Sequence, residues 1–124
     1  MGFRKGKNWE TICKKEIKAD LSTDLCWKCI NPESIDFLSL SNRDGFKVVL
    51  VESKEVKITA KKKWYYPKES KKKREQLKKY FEVKKALNSW NINCEVYIYL
   101  RKKGKEEKIL KFKFDDYDDV PVRL

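Results

Sequence analysis

The residues of this chain best equipped for chemistry are two carboxylates and a lysine: Asp36, Glu52 and Lys54. They lie on either side of a segment that reads as a β-hairpin. Asp36 to Ser41 alternates, Asn42-Arg43-Asp44-Gly45 supplies the turn, and Phe46 to Lys54 follows as a second strand. Asp-Gly between two apolar runs is a strong hairpin signal. If Arg43-Asp44-Gly45 is a three-residue loop with Gly45 left-handed, Asp36 falls directly opposite Glu52. Side chains alternate between the faces of a strand, so Lys54 joins them on one face with Leu38, Leu40, Val48 and Leu50. An apolar sheet face thus ends in two carboxylates and a lysine, where it would be half buried.

Such a set suits phosphodiester hydrolysis. Paired carboxylates bind Mg²⁺ well, because hard cations take oxygen ligands and keep several waters. The metal makes a bound water more acidic and neutralises charge developing on phosphate. A lysine beside it can position or polarise the attacking water, or hold the phosphate. Glu10, from the first helix, offers a further ligand. The tripeptide Glu-x-Lys alone carries no weight, since it also starts at Glu16, Glu55, Glu69, Glu82 and Glu106. Glu52 differs because it ends an apolar strand opposite Asp36. The competing reading is an exposed strand end with a solvated Glu–Lys pair.

Composition narrows the chemistry further. The chain has 124 residues and no histidine, which excludes Ser-His-Asp and Cys-His catalysis, histidine general acid/base work and histidine-ligated zinc. The length fits one domain over residues 1–124. Thirty-one basic against 19 acidic residues give a formal charge of +12, which calls for a polyanionic partner. Nucleic acid leads and an anionic membrane surface is the alternative. The longest apolar run, Val48 to Val51, is far too short to span a bilayer. Met1-Gly2-Phe3-Arg4-Lys5-Gly6 is basic with no apolar stretch behind it, unlike a signal peptide, so a cytoplasmic setting is expected.

The elements that must position the site follow from periodicity. Trp9, Ile12, Cys13 and Ile17 form a helical stripe within about Asn8 to Leu21, with Glu10 at its edge. Ser22 to Ser34 reads as an irregular loop. After the hairpin, Glu55 to Lys61 reads as a third strand. A helix follows from about Lys68 to Ser89, with Gln76, Leu77, Tyr80, Val83, Lys84 and Leu87 inward. Glu95 to Arg101 and Lys108 to Phe114 complete the set, turning around Gly104. The order α-βββ-α-ββ specifies an α/β fold, a mixed sheet of about five strands flanked by helices. The acidic tail over residues 115–124 is expected to be loosely held.

Basic clusters supply candidate phosphate contacts: Lys61-Lys62-Lys63 before Trp64-Tyr65-Tyr66, Lys71-Lys72-Lys73-Arg74, and Arg101-Lys102-Lys103. From these, Lys61, Lys62, Lys63, Lys72 and Arg74 are assigned to DNA. The alternatives are aromatic core packing for the first cluster and a solvated surface for the others. Of the cysteines, Cys26-x-x-Cys29 has metal-ligand spacing and with Cys13 and Cys94 makes a candidate four-cysteine site. Free thiols are the leading expectation, ahead of disulfides.

Taken together, these motifs resemble the PD-(D/E)XK nuclease superfamily, and within it the archaeal Holliday junction resolvases. The likeness runs from Arg4-Lys5-Gly6-Lys7-Asn8-Trp9-Glu10 through Ser34-Ile35-Asp36-Phe37-Leu38 and Val51-Glu52-Ser53-Lys54 to Arg74-Glu75-Gln76-Leu77, which holds the only glutamine. The resemblance implies a restriction-endonuclease-like core. It implies Asp36 and Glu52 as ligands of Mg²⁺ or Mn²⁺, Glu10 as a further acidic residue near the metal, and Lys54 as the catalytic lysine. It also implies Gln76 as support from the helix, Arg4, Lys5 and Lys7 on the DNA, and an archaeal or archaeal-virus setting. Such resolvases are homodimers that cut a four-way junction symmetrically. The alternatives are a nuclease or nickase on duplex or single strands, an RNA-processing nuclease, and an inert DNA-binding protein of the same fold.

Overall fold

Three apolar residues four apart, Trp9, Cys13 and Ile17, dictate the first element. Helix α1 (Phe3–Asp20) buries all three against one face of a sheet. The structure, a computed structural model, describes residues 3–21, 24–28, 35–42, 45–57, 64–65, 71–103, 108–119 and 122–123. Strands β1 (Leu25–Lys28), β2 (Phe37–Ser41) and β3 (Lys47–Lys57) follow α1. A two-residue β4 (Trp64–Tyr65) precedes helix α2 (Lys71–Ser89), then β5 (Asn93–Lys103) and β6 (Lys108–Phe114). A 3-10 turn over Tyr117–Asp119 and β7 (Val122–Arg123) end the described chain.

The main sheet has the order β1-β2-β3-β5-β6. All neighbours are antiparallel except the central pair, β3 and β5, which run parallel over eleven residues. The chain is therefore α/β, with an open mixed five-stranded sheet between two helices. Both faces are covered, which is why Val48–Val51 is apolar without interruption. Val49 and Val51 face α1 together with Phe37 and Tyr99. Val48 and Leu50 face α2, where Tyr80 packs with them and with Cys94 and Val96. One turn earlier on α2, Leu77 packs with Val56, Ile98 and Leu100.

Polar contacts fix both helices. Lys111 of β6 reaches Glu16 and Asp20 of α1, each at 2.6 Å, and Asp20 accepts the Tyr99 hydroxyl at 3.0 Å. Helix α2 stops at Asn91, whose φ of 63° is left-handed. The Ile92 amide donates to the Leu87 carbonyl and the Asn91 amide to the Asn88 carbonyl, a Schellman closure. The Asn88 side chain then accepts the Cys94 amide at 3.1 Å, aiming the chain into β5.

Several expectations change. Leu25–Lys28 is a strand on the edge beside β2, not part of a loop. No third strand begins at Glu55: β3 continues unbroken to Lys57, and residues 58–61 lie outside the described ones. Val83 is exposed and Phe81 takes the inward position instead. The acidic tail docks, since Tyr117 meets the Phe81 ring edge-on at 6.1 Å and β7 pairs with β4. Among the described residues no helix is long and apolar enough to cross a membrane.

Candidate active site

The site is set by where β2 leaves β3. The register pairs Phe37 with Val51 and Leu38 with Leu50, so its next step places Asp36 opposite Glu52. Gly45 holds the turn with φ of 95°, as the Asp-Gly signal requires. Beyond Val51 the β2 ladder has ended, and the amide of Ser53 needs a different acceptor. Asp36 Oδ2 takes it at 2.9 Å. The amide of Asp36 in turn donates to the hydroxyl of Tyr80 at 3.0 Å, tying the strand entry to α2. Asp36 is held from both sides of its own peptide, by β3 and by the helix.

Glu52 faces α2 from the centre of the sheet and is 2% exposed. Its nearest cation is Lys54, with Nζ 4.0 Å from Oε1 and outside hydrogen-bond distance. Oε2 is buried without a hydrogen-bond partner among the described residues. Burial pushes this carboxyl from 4.5 up to about 7. Lys54 opposes the rise, Asp36 adds to it through like charge, and Lys73 of α2 opposes it. Lys54 is about one-third exposed, so it can face both the carboxylate and a ligand arriving from solvent.

Glu52 and Lys54 stand partway along β3, level with Ile98 and Leu100 of β5, and the two parallel strands run on together past them to Lys57 and Lys103. In open α/β sheets the carboxyl ends of parallel strands are the usual ligand side. Arg101 and Lys102, at the far end of β5, are half-buried at the same end. Lys72 and Arg74 are exposed on the first turn of α2.

The structure gathers some sequence-derived candidates and not others. Asp36, Glu52 and Lys54 come together. Gln76 is half-buried on the sheet-facing side of α2, one turn before Tyr80. Glu10 is half-buried on α1, which packs on the opposite face of the sheet from Glu52. Among the described residues, no three cysteine, aspartate or glutamate side chains form a metal-holding group. Arg4, Lys5 and Lys7 lie on the first turns of α1, and their side chains are outside the description, as are Lys61, Lys62 and Lys63.

The four-cysteine arrangement does not form. Cys13 and Cys26 are buried under α1, Cys94 is buried on the other face under α2, and none of the three is in a disulfide. Cys29 lies outside the described residues. Two polar residues of the site were not foreseen. From the sequence Tyr80 reads only as an inward residue, and Lys73 only as part of a basic run. The available signal was spacing, since Lys73, Gln76, Leu77 and Tyr80 fall at i, i+3, i+4 and i+7 on one helical face.

The donor set fits a hard divalent cation. Asp36 and Glu52 are close enough for their charges to act on each other, and one buried carboxylate oxygen, Glu52 Oε2, has nothing to bond among the described residues. That oxygen is poorly served by protein alone and well served by a cation. Two carboxylates with several retained waters is an ordinary Mg²⁺ arrangement. No protein-family model, curated protein or solved structure matches the chain.

Proposed function

We propose that the protein is a metal-dependent endodeoxyribonuclease with Asp36, Glu52 and Lys54 at its centre. The observation that carries this reading is the buried Glu52 carboxylate, opposite Asp36, with one oxygen unpartnered and a lysine two residues on. The formal charge of +12 supports a polyanionic substrate. In this reading Asp36 and Glu52 hold Mg²⁺ or Mn²⁺, which would acidify a bound water and neutralise phosphate charge. Hydrolysis adds a water oxygen to phosphorus and releases one ester oxygen. Lys54 orients the attacking water and faces the phosphate. Ser53, through its amide, keeps Asp36 turned toward Glu52. Gln76 supports the site from α2, and Lys72 and Arg74 take flanking phosphates.

The finer reading rests on the resemblance in sequence. It is a restriction-endonuclease-like core, acting in the cytoplasm as a homodimer on branched DNA, with a four-way junction as substrate. A second reading, an inert DNA-binding protein of the same fold, is favoured by the absence of a third carboxylate beside Asp36 and Glu52 among the described residues. Labelled four-way junction, duplex and single strand of matching sequence, incubated with Mg²⁺ or with EDTA, separate these readings. Paired symmetric cuts in the junction alone, abolished by EDTA and by Asp36→Asn, are expected. Cleavage of every substrate would keep the site and remove the junction. Tight binding without cleavage would leave the inert reading.

A further inference from the structure

Helix α2 carries eight lysines and arginines between Lys71 and Lys85, and they do not share one environment. Lys71, Lys72, Arg74, Lys78, Lys79 and Lys85 are exposed. Lys84 is half-buried near the end of the helix, and Lys73 is half-buried in its first turn. It lies four residues before Leu77, which is 1% exposed, and seven before Tyr80, which is fully buried. Residues at those spacings stack on one face of a helix, so the Lys73 stem runs on the side turned to the sheet.

The level of Lys73 along the sheet follows from its neighbours. Tyr80 packs with Val48 and Leu50, and Leu77, one turn earlier, with Val56, Ile98 and Leu100. Helix α2 thus climbs toward the carboxyl ends of β3 and β5 as it is followed back to its start. Glu52 and Lys54 lie between Leu50 and Val56 on this face of β3, so Lys73, one turn beyond Leu77, stands just past them toward the carboxyl end, and its charge acts on the Glu52 carboxyl. The hydrogen bond from the Asp36 amide to Tyr80 fixes the helix against that end. A lysine that only meets solvent would not need the sheet-facing side of the helix, and the six exposed basic residues do not share it.

We propose that Lys73 is a second lysine of this site, placed to hold a phosphate oxygen of a nucleic acid backbone beside the Asp36–Glu52 pair. The proposal rests on the nuclease reading and adds a ligand-contacting residue to it. Lys54 and Lys73 then approach from strand and helix, and two cations flank two carboxylates. A bound phosphodiester is left with its negative charge to be met by the lysines rather than repelled by uncompensated carboxylates.

The test compares the native chain with Lys73→Met, Lys73→Arg and Lys85→Met, the last removing one exposed charge about three turns further along α2. Binding of a labelled four-way junction is followed in EDTA across a NaCl series, and cleavage in Mg²⁺ at saturating junction. Lys73→Met is expected to cleave at least about tenfold more slowly and to lower the salt slope of binding by about one. Lys73→Arg is expected to recover binding, and Lys85→Met to cleave normally. Glu52 titration, read by ¹³C NMR, is expected to move upward in Lys73→Met and not in Lys85→Met. If the native chain cleaves and Lys73→Met cleaves equally fast, the proposal falls while the nuclease reading stands. If the native chain binds but never cleaves, the nuclease reading falls, and an unchanged salt slope in Lys73→Met overturns the proposal as well.

Discussion

Replacing Glu52 with glutamine separates the cost of its charge from the rest of the side chain. Burial raises the carboxyl from 4.5 to about 7. A group whose folded pKa lies above its unfolded value holds its proton more tightly in the folded protein. It costs nothing below pH 4.5, costs progressively more up to about 7, and imposes its full penalty above that. The gap corresponds to a penalty of order 3 kcal/mol. Glutamine keeps the volume and abolishes the charge, but leaves a buried amide incompletely bonded at about 1 kcal/mol. The variant is therefore expected to be more stable than the native chain by about 2 kcal/mol at pH 8 and less stable by about 1 kcal/mol at pH 4. For a domain of this size the gain at pH 8 is a rise in Tm of roughly 6–10 °C. Melting both proteins by circular dichroism in EDTA at the two pH values gives the comparison, in which the remaining charges cancel. Mg²⁺ added at pH 8 is expected to raise the native Tm and leave the variant unmoved. A difference between the two proteins that is the same at pH 4 and pH 8 would refute the reasoning.

Tyr80→Phe removes the acceptor of the Asp36 amide while leaving the buried ring in place. It is expected to cost about 1–2 kcal/mol and to slow cleavage, with an unchanged urea midpoint as the contrary result. The buried thiols give a separate check. Burial pushes Cys13 up to about 12 and Cys94 up to about 11, so both stay protonated at pH 8. Peptide mapping after treatment with a thiol reagent is expected to find both unmodified in the native protein and both labelled in denaturant. Rapid native labelling of either would contradict the packing described.

The hairpin register, which brings Asp36 near Glu52, was legible because turn chemistry and period-two alternation agree there, and Gly45 adopts the left-handed conformation the turn needs. Helix α1 was legible from Trp9, Cys13 and Ile17, which repeat every four residues. Strand β1 was not, because four residues with an exposed Leu25 and a buried Cys26 are too short for a pattern to stand out. The division at Glu55 failed for a reason visible in the residues themselves. No glycine, proline, asparagine or aspartate separates Lys54 from Val56, so nothing there turns the chain. On α2 the stripe was phased correctly at Leu77 and Tyr80 and wrongly at Val83, which lies 36% exposed while Phe81 turns inward. Lys73 was hidden by its type, since lysine reads as solvent-facing until its position on the helix is counted.

The central parallel ladder joins Lys47 to Asn93 and Lys57 to Lys103, with all of α2 in the connection. No tight turn can make such a pair, so it has a long loop to close before any of its bonds form. The β2–β3 and β5–β6 pairs are local and close on the microsecond scale of hairpins. The slow event in folding is the meeting of these two hairpins, with α2 laid across them. Asp36 and Glu52 belong to the first hairpin alone, whereas Tyr80 and Lys73 arrive with the helix. The carboxylates therefore meet early, in water, and bear the cost of burial only at the last step. A divalent cation or a low pH present at that moment would speed the step, which makes the refolding rate a readout of the same chemistry as the folded site.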